Sequence, residues 1–193
     1  FKINNNEVTS ITGQNGTVII FQPNTFTMHD GTPIDGLIDI KLIEVFDKSE
    51  MILNGVNTTS NGRLLESIGM INLMAVALNE ELALKDGKTI IIKIPNRRNK
   101  LDGELFYGEY IDERFNWKYG GEKIDTTEVI ESIYPMAGGL DSVKRTVYKY
   151  IDGTKEIILD TGFVEPSRDR AIASKSYIPG FYEYEIKNLG WIN

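Results

Sequence analysis

The chain contains no cysteine and a single histidine, His29, in 193 residues. The first absence excludes a disulfide framework, a cysteine-bearing zinc site, an iron–sulfur cluster and a thiol nucleophile. The second excludes a multi-histidine metal site, so no metal and no cofactor is expected. Long apolar runs are missing as well: none reaches the roughly 18–20 residues that cross a bilayer, and no transmembrane segment is expected in this sequence. Clustered positive charge is also lacking. With 21 basic against 28 acidic side chains the formal charge is −7, which argues against a nucleic-acid partner. No Gly-x-Gly-x-x-Gly or Walker loop occurs, and Gly120-Gly121 and Gly138-Gly139 read as turns. The start, Phe1-Lys2-Ile3-Asn4, has neither the basic nor the apolar region of a signal peptide and is expected to be a trimmed or mature end. The ending, Gly190-Trp191-Ile192-Asn193, is expected to continue in the natural chain.

What is present is an ordinary globular composition, 41% hydrophobic and 25% charged, long enough for one large domain or two small ones. The 8 Phe, 9 Tyr and 2 Trp are distributed unevenly: only Phe1, Phe21, Phe26 and Phe46 precede Arg97. Pro95 to Gly103, with its Arg97-Arg98 pair and Lys100, reads as a solvated linker. Two regions follow from this, residues 1–97 and 98–193.

The first region reads as β. Gly16 to Phe21 is a β-branched run stopped by Pro23, and turn chemistry at Asp30 to Gly36 leads into Leu37 to Val45, where Ile38, Ile40 and Leu42 alternate with Asp39 and Lys41. Lys88 to Pro95 repeats the alternation. Gly69 to Leu78 is apolar on both faces apart from Asn72, the pattern of a central strand. Lys48 to Leu53 has room for one helical turn. Short strands without amphipathic helices between them indicate a sandwich.

In the second region, Glu104 to Tyr110, Phe115 to Tyr119, Val143 to Tyr150, Glu156 to Thr161 and Phe181 to Ile186 have strand composition. Asp152-Gly153 marks a hairpin. Thr126 to Tyr134 is predicted as a helix, capped by Asp125 or Thr126 with Glu128 in the first turn. The expected fold class is all-β, an immunoglobulin-like sandwich over 1–97 followed by a smaller aromatic-rich β or α+β region.

Several of these segments together resemble a known type of domain. Gly16-Thr17-Val18-Ile19-Ile20, Gly36 to Val45, Leu64-Leu65-Glu66-Ser67 ahead of the central strand, and Ile90 to Pro95 are similar to the ZU-five type of β-sandwich of tight-junction scaffolds, netrin receptors and ankyrins. Thr58 to Ile71 is similar to a segment of bacterial envelope proteins of this kind, in which an aromatic-rich region and an element like Gly190 to Asn193 follow. The resemblance covers about residues 10–97. It implies a non-catalytic scaffold or protein-interaction module in the cell envelope, periplasmic or surface-exposed, with other envelope proteins or surface glycans as partners. Relatives that cleave themselves use a His-Phe-Ser motif. Here His29 precedes Asp30-Gly31 and no Phe-Ser pair exists, so self-cleavage does not carry over.

The remaining chemistry is thin. His29 sits in a Gly-rich turn and is expected to face solvent. Ser67 lies in Leu-Glu-Ser-Ile-Gly, which is not a nucleophile elbow, and is expected to hydrogen-bond locally. Glu104, Glu109, Asp112 and Glu113 among Tyr107, Tyr110, Phe115 and Trp117 raise a glycoside-hydrolase alternative, which needs two acids about 5–9 Å apart. Trp117, Tyr119 and Trp191, if exposed on a sheet, could stack on a sugar as in a carbohydrate-binding module. Asp30 and Asp35 share one loop without EF-hand spacing. Asn15-Gly16-Thr17 and Asn57-Thr58-Thr59 fit the glycosylation pattern.

Overall fold

Strand formation follows the alternation of β-branched with polar residues, and the computed structural model is 54% strand against 5% helix. It describes residues 1–97, 103–123, 125–135, 141–151, 154–164, 175–178 and 180–193. The chain forms two compact units. One comprises Phe1–Ile94, Glu104–Ile124 and Glu183–Asn193, the other Pro95–Gly103 and Asp125–Tyr182.

In the first unit, β1 (Lys2–Asn4), β2 (Thr9–Thr12), β3 (Val18–Phe21) and β4 (Phe26–Thr27) lead to the long β5 (Leu37–Val45). A short helix, α1 (Lys48–Leu53), follows as expected. Its N-terminus is a capping box in which Asp47 Oδ1 accepts from the Glu50 N–H at 2.9 Å while Glu50 Oε2 accepts from the Asp47 N–H at 3.3 Å. Then come the small hairpin β6 (Thr59–Ser60) and β7 (Arg63–Leu64), the central β8 (Met70–Ala77), β9 (Glu80–Glu81), β10 (Ala83–Leu84) and β11 (Ile90–Pro95). The hairpin β12 (Glu104–Ile111) and β13 (Arg114–Lys123) completes this stretch.

The second unit is made of β14 (Asp125–Pro135), β15 (Asp141–Ile151), β16 (Thr154–Val164) and β17 (Lys175–Ile178). β14 pairs antiparallel with β15 from Thr126↔Tyr150 to Pro135↔Asp141, and with β17 on its other side. The helix predicted over Thr126 to Tyr134 is therefore a strand. Its Thr126, Thr127, Val129, Ile130 and Ile133 are β-branched, and cross-strand pairing along the whole segment overrides the local capping signal. β15 and β16 pair with Ile151 opposite Thr154, the register expected of the Asp152-Gly153 hairpin, although those two residues lie outside the described ones. The Gly138-Gly139 turn and most of the linker after Arg97 lie outside them too.

The chain ends with β18 (Phe181–Ile186), whose residues from Glu183 belong to the first unit, and β19 (Gly190–Ile192). The two sheets of the first unit have strand orders β1-β5-β8-β19-β12-β13, with β9 also on β8, and β18-β11-β3-β2. The chain thus divides differently from the split read after Arg97. β12, β13 and β19 belong to the sheet of β8 rather than to a separate region, because β19 pairs with β8 through Ile192↔Ile71 and with β12 through Tyr107↔Ile192.

The sheets are antiparallel and packed together, an all-β sandwich. Ile38, Ile40, Ile71, Leu73, Leu105 and Ile192 from the first sheet, and Ile19, Phe21, Ile90, Ile92 and Ile186 from the second, are buried. Apart from Ile71, which follows the equally buried Met70, they alternate with more exposed neighbours, as the pleat of a sheet requires. A second, smaller core lies on the other face of the first sheet. There Val45, Val56, Met70, Phe115 and Trp117 cluster with Ile43, Met51, Leu65, Phe106 and Trp191. α1 and the segment after it roof this cluster.

Among the described residues three hairpins turn on two residues with positive φ, the type I′ geometry that suits the twist of the strands. Asn61-Gly62 between β6 and β7 has the favoured sequence for it (φ 48° and 79°). Leu78-Asn79 between β8 and β9 does not, since Leu78 holds φ 52°. A left-handed conformation at a leucine costs about 1–2 kcal/mol, and this side chain is 81% exposed, so no burial compensates it.

Candidate functional site

The residues singled out for sugar stacking are placed very differently by the fold. Trp117 is 0% exposed. Its ring meets Phe115 edge-on at 5.0 Å, and its Nε1–H donates to the Asn57 carbonyl at 2.6 Å. Trp117 is thus a core residue of the outer cluster and cannot serve as an exposed platform. β13 alternates, and the roof over its outer face takes Phe115 and Trp117 together. Trp191 is half-buried against Phe115 at 6.3 Å. Tyr119, past the end of the roof, is 50% exposed with its ring 5.6 Å from Phe106.

The acids of the hydrolase reading are spread along the β12–β13 hairpin, with Glu104 exposed at its start and Glu109 half-buried near its tip. Asp112 and Glu113 form its turn at φ 46° and 63°, and Glu109 Oε1 accepts from Asn116 Nδ2 at 3.3 Å. Ser67 Oγ donates to Asn193 Oδ1 at 2.6 Å and accepts from the Gly69 N–H at 3.2 Å, a structural role that includes the local bond expected of it. In the Asp30 turn, Thr32 donates its backbone N–H to Asp30 Oδ1 at 2.8 Å. Hydrogen bonds from the Thr32 side chain and backbone hold that carboxyl below its ordinary value. Among the described residues no group of three His, Asp or Glu side chains could hold a metal ion.

A concavity of the first unit lies beside β8. On that edge β19 covers β8 only as far as Gly190↔Leu73, and β9 takes over at Val76↔Glu81. The turn preceding β19 and the β10 segment border the gap, and they enclose a groove of about 530 Å³. Asn72 and Met74, which the pleat turns away from the buried Ile71, Leu73 and Ala75, line it. Glu81, Asp86, Leu189 and the exposed His29 also line it. Asn72 is the polar residue that interrupts the otherwise apolar Gly69 to Leu78 run, and its Oδ1 is covered without a hydrogen-bond partner. That interruption was the sequence signal for the groove. The rest of the lining comes from segments distant in sequence, so no local motif marks it.

One titratable group in the sandwich interior stands out. Burial pushes the Tyr184 phenol far above its ordinary value of 10.0, and the neighbouring Tyr107 adds to the shift. The Tyr184 hydroxyl has no hydrogen-bond partner. A group whose value is raised on folding contributes stability that is complete below its unfolded value and is lost as the pH rises above it. Alkaline unfolding should therefore begin above about pH 10. Tyr184→Phe should move that onset upward and leave the neutral-pH melting temperature equal or higher, since removing an unpaired buried hydroxyl relieves its desolvation cost. Melting curves between pH 7 and 11.5 check both outcomes.

Compared with known proteins, the chain matches no family model, no curated protein and no solved structure, so the function is argued from the geometry of this fold.

Proposed function

We propose that the chain is a non-catalytic interaction module, a scaffold element of a larger bacterial cell-envelope or surface protein. The groove beside β8 carries this reading: a sheet interrupted along its central strand offers an open, mixed polar and apolar concavity on a rigid support. The envelope location and the ZU-five, immunoglobulin-like affiliation rest on the resemblance of Thr58 to Ile71 and of the strands around it. Other envelope proteins are the first class of partner.

A glycan-binding reading is kept alive by one observation, the exposure of Tyr119 and Tyr110 at the two ends of the aromatic row on β12 and β13, at 50% and 66%. Trp117 and Trp191 have no part in it.

An array of peptides and glycans, followed by NMR mapping with labelled protein, separates the possibilities. Ligands of the module are expected to shift the amides of Leu82 to Asp86 and of Lys187 to Gly190. A glycan whose shifts centre on Tyr119 moves the assignment to the aromatic row. Conversion of any ligand into product overturns the non-catalytic reading.

A further inference from the structure

β13 is the last strand of its sheet. β12 pairs with it on one side, and among the described residues no strand pairs with it on the other. Phe106 of β12 directs both of its main-chain groups at Asn193, at 2.8 and 2.9 Å, so Tyr119 opposite it has its own N–H and C=O turned outward. The same alternation turns Trp117 and Phe115 outward. Three such residues in succession form an edge of the kind that recruits a further strand.

Across this edge lies the β6–β7 hairpin. Ser60 Oγ donates to the Trp117 carbonyl at 2.6 Å, and the Asn61 N–H donates to Asn116 Oδ1 at 2.8 Å. Just before the hairpin, Asn57 Nδ2 donates to the Phe115 carbonyl at 3.0 Å. Side chains thus cap two carbonyls that a neighbouring strand would use, while β6 itself makes no ladder with β13. The hairpin adds nothing to the core: from Thr59 to Leu64 no residue is buried, and Leu64 is 84% exposed. It is an excursion from a point where the chain has already closed on itself, since the Leu65 N–H donates to the Thr58 carbonyl at 2.7 Å. Two short strands of this kind contribute little stability alone. What they supply is cover for β13.

We propose that the β6–β7 hairpin is an edge guard, which keeps β13 from pairing with β13 of a second copy of this chain. An outward edge is its own antiparallel complement. Two copies related by a twofold axis satisfy each other's N–H and C=O groups, and the contact closes at a dimer. The hairpin stands where that second strand would run. This role goes beyond the groove beside β8 and does not rest on it.

The test removes the guard and leaves the core. Deleting Thr59, Ser60, Arg63 and Leu64 joins Thr58 to Leu65 through the same Asn61-Gly62 turn, and Asn57→Ala removes the remaining cap while its carbonyl still accepts from the Trp117 indole. In sedimentation this variant is expected to dimerise with an association constant at least about tenfold above that of the intact chain. In hydrogen exchange the Phe115, Trp117 and Tyr119 amides should gain protection as the concentration rises. The double variant Asn57→Ala with Ser60→Ala, its hairpin at full length, should show the same changes to a smaller degree, and it decides the matter if the shortened chain does not fold. Folded variants that stay as monomeric as the intact chain overturn the proposal, and so does association that leaves those three amides unprotected.

Discussion

Trp117→Ala is expected to lower the unfolding free energy by about 3–5 kcal/mol, as large-to-small substitutions of buried aromatics do. The ring is fully covered, and it supports Phe115 edge-on at 5.0 Å, which in turn touches Tyr110 and Trp191. Its removal leaves a void that the roof over the first sheet must fill by moving. The substitution also deprives the Asn57 carbonyl of the indole donor at 2.6 Å. Trp117→Phe keeps much of the volume and loses the hydrogen bond, so it should cost a smaller part of the total, about 1–2 kcal/mol. Chemical denaturation of both variants measures the difference. A loss below about 1 kcal/mol for the alanine variant would mean that the outer cluster adds little to the fold.

Asn5→Leu is the second large effect, also about 3–5 kcal/mol, and its origin is polar. Asn5 is 2% exposed just after β1. Its Nδ2 donates to the Ile34 carbonyl at 2.7 Å and the Phe26 carbonyl at 3.2 Å, while its Oδ1 accepts from the Phe26 N–H at 3.2 Å. Its own backbone is held as well, the N–H by Gly36 at 2.8 Å and the carbonyl by Asn24 at 2.6 Å. One side chain thus satisfies three buried backbone groups, two of Phe26 in β4 and one of Ile34. A leucine of similar size fills the space and leaves all three unpaired. Asn5→Asp retains the acceptor and loses both donors, so it should fall in the same range. Equilibrium unfolding in urea, with the slope unchanged, would report the loss as a shift of midpoint.

Part of this architecture is legible in single segments. Ile38, Ile40 and Ile90, Ile92, Ile94 alternate with polar or less buried neighbours, and the strands stand where that period puts them. The helical turn expected over Lys48 to Leu53 likewise stands there as α1. Thr126 to Tyr134 misleads because a capping signal is local, whereas the pairing that makes it a strand is with β15 and β17. Trp117 misleads for a related reason. Alternation shows which residues of β13 share a face, but it cannot reveal that the segment around Val56 and Leu65, far earlier in the chain, covers that face. The groove depends on where β19 stops and β9 starts, two facts of register, and only the isolated Asn72 betrays it in the sequence.

The position of β19 bears on the order in which the chain can assemble. Its residues, Gly190 to Ile192, fill the slot between β8 and β12, and β8 is complete by Ala77. During synthesis the two halves of the first sheet are made long before the strand that joins them. Until it arrives, β8 and β12 each present an unpaired edge to any other strand nearby, including those of a neighbouring nascent chain. The last strand is therefore a latch, and the interval before it closes is when this protein is most exposed to pairing with the wrong partner.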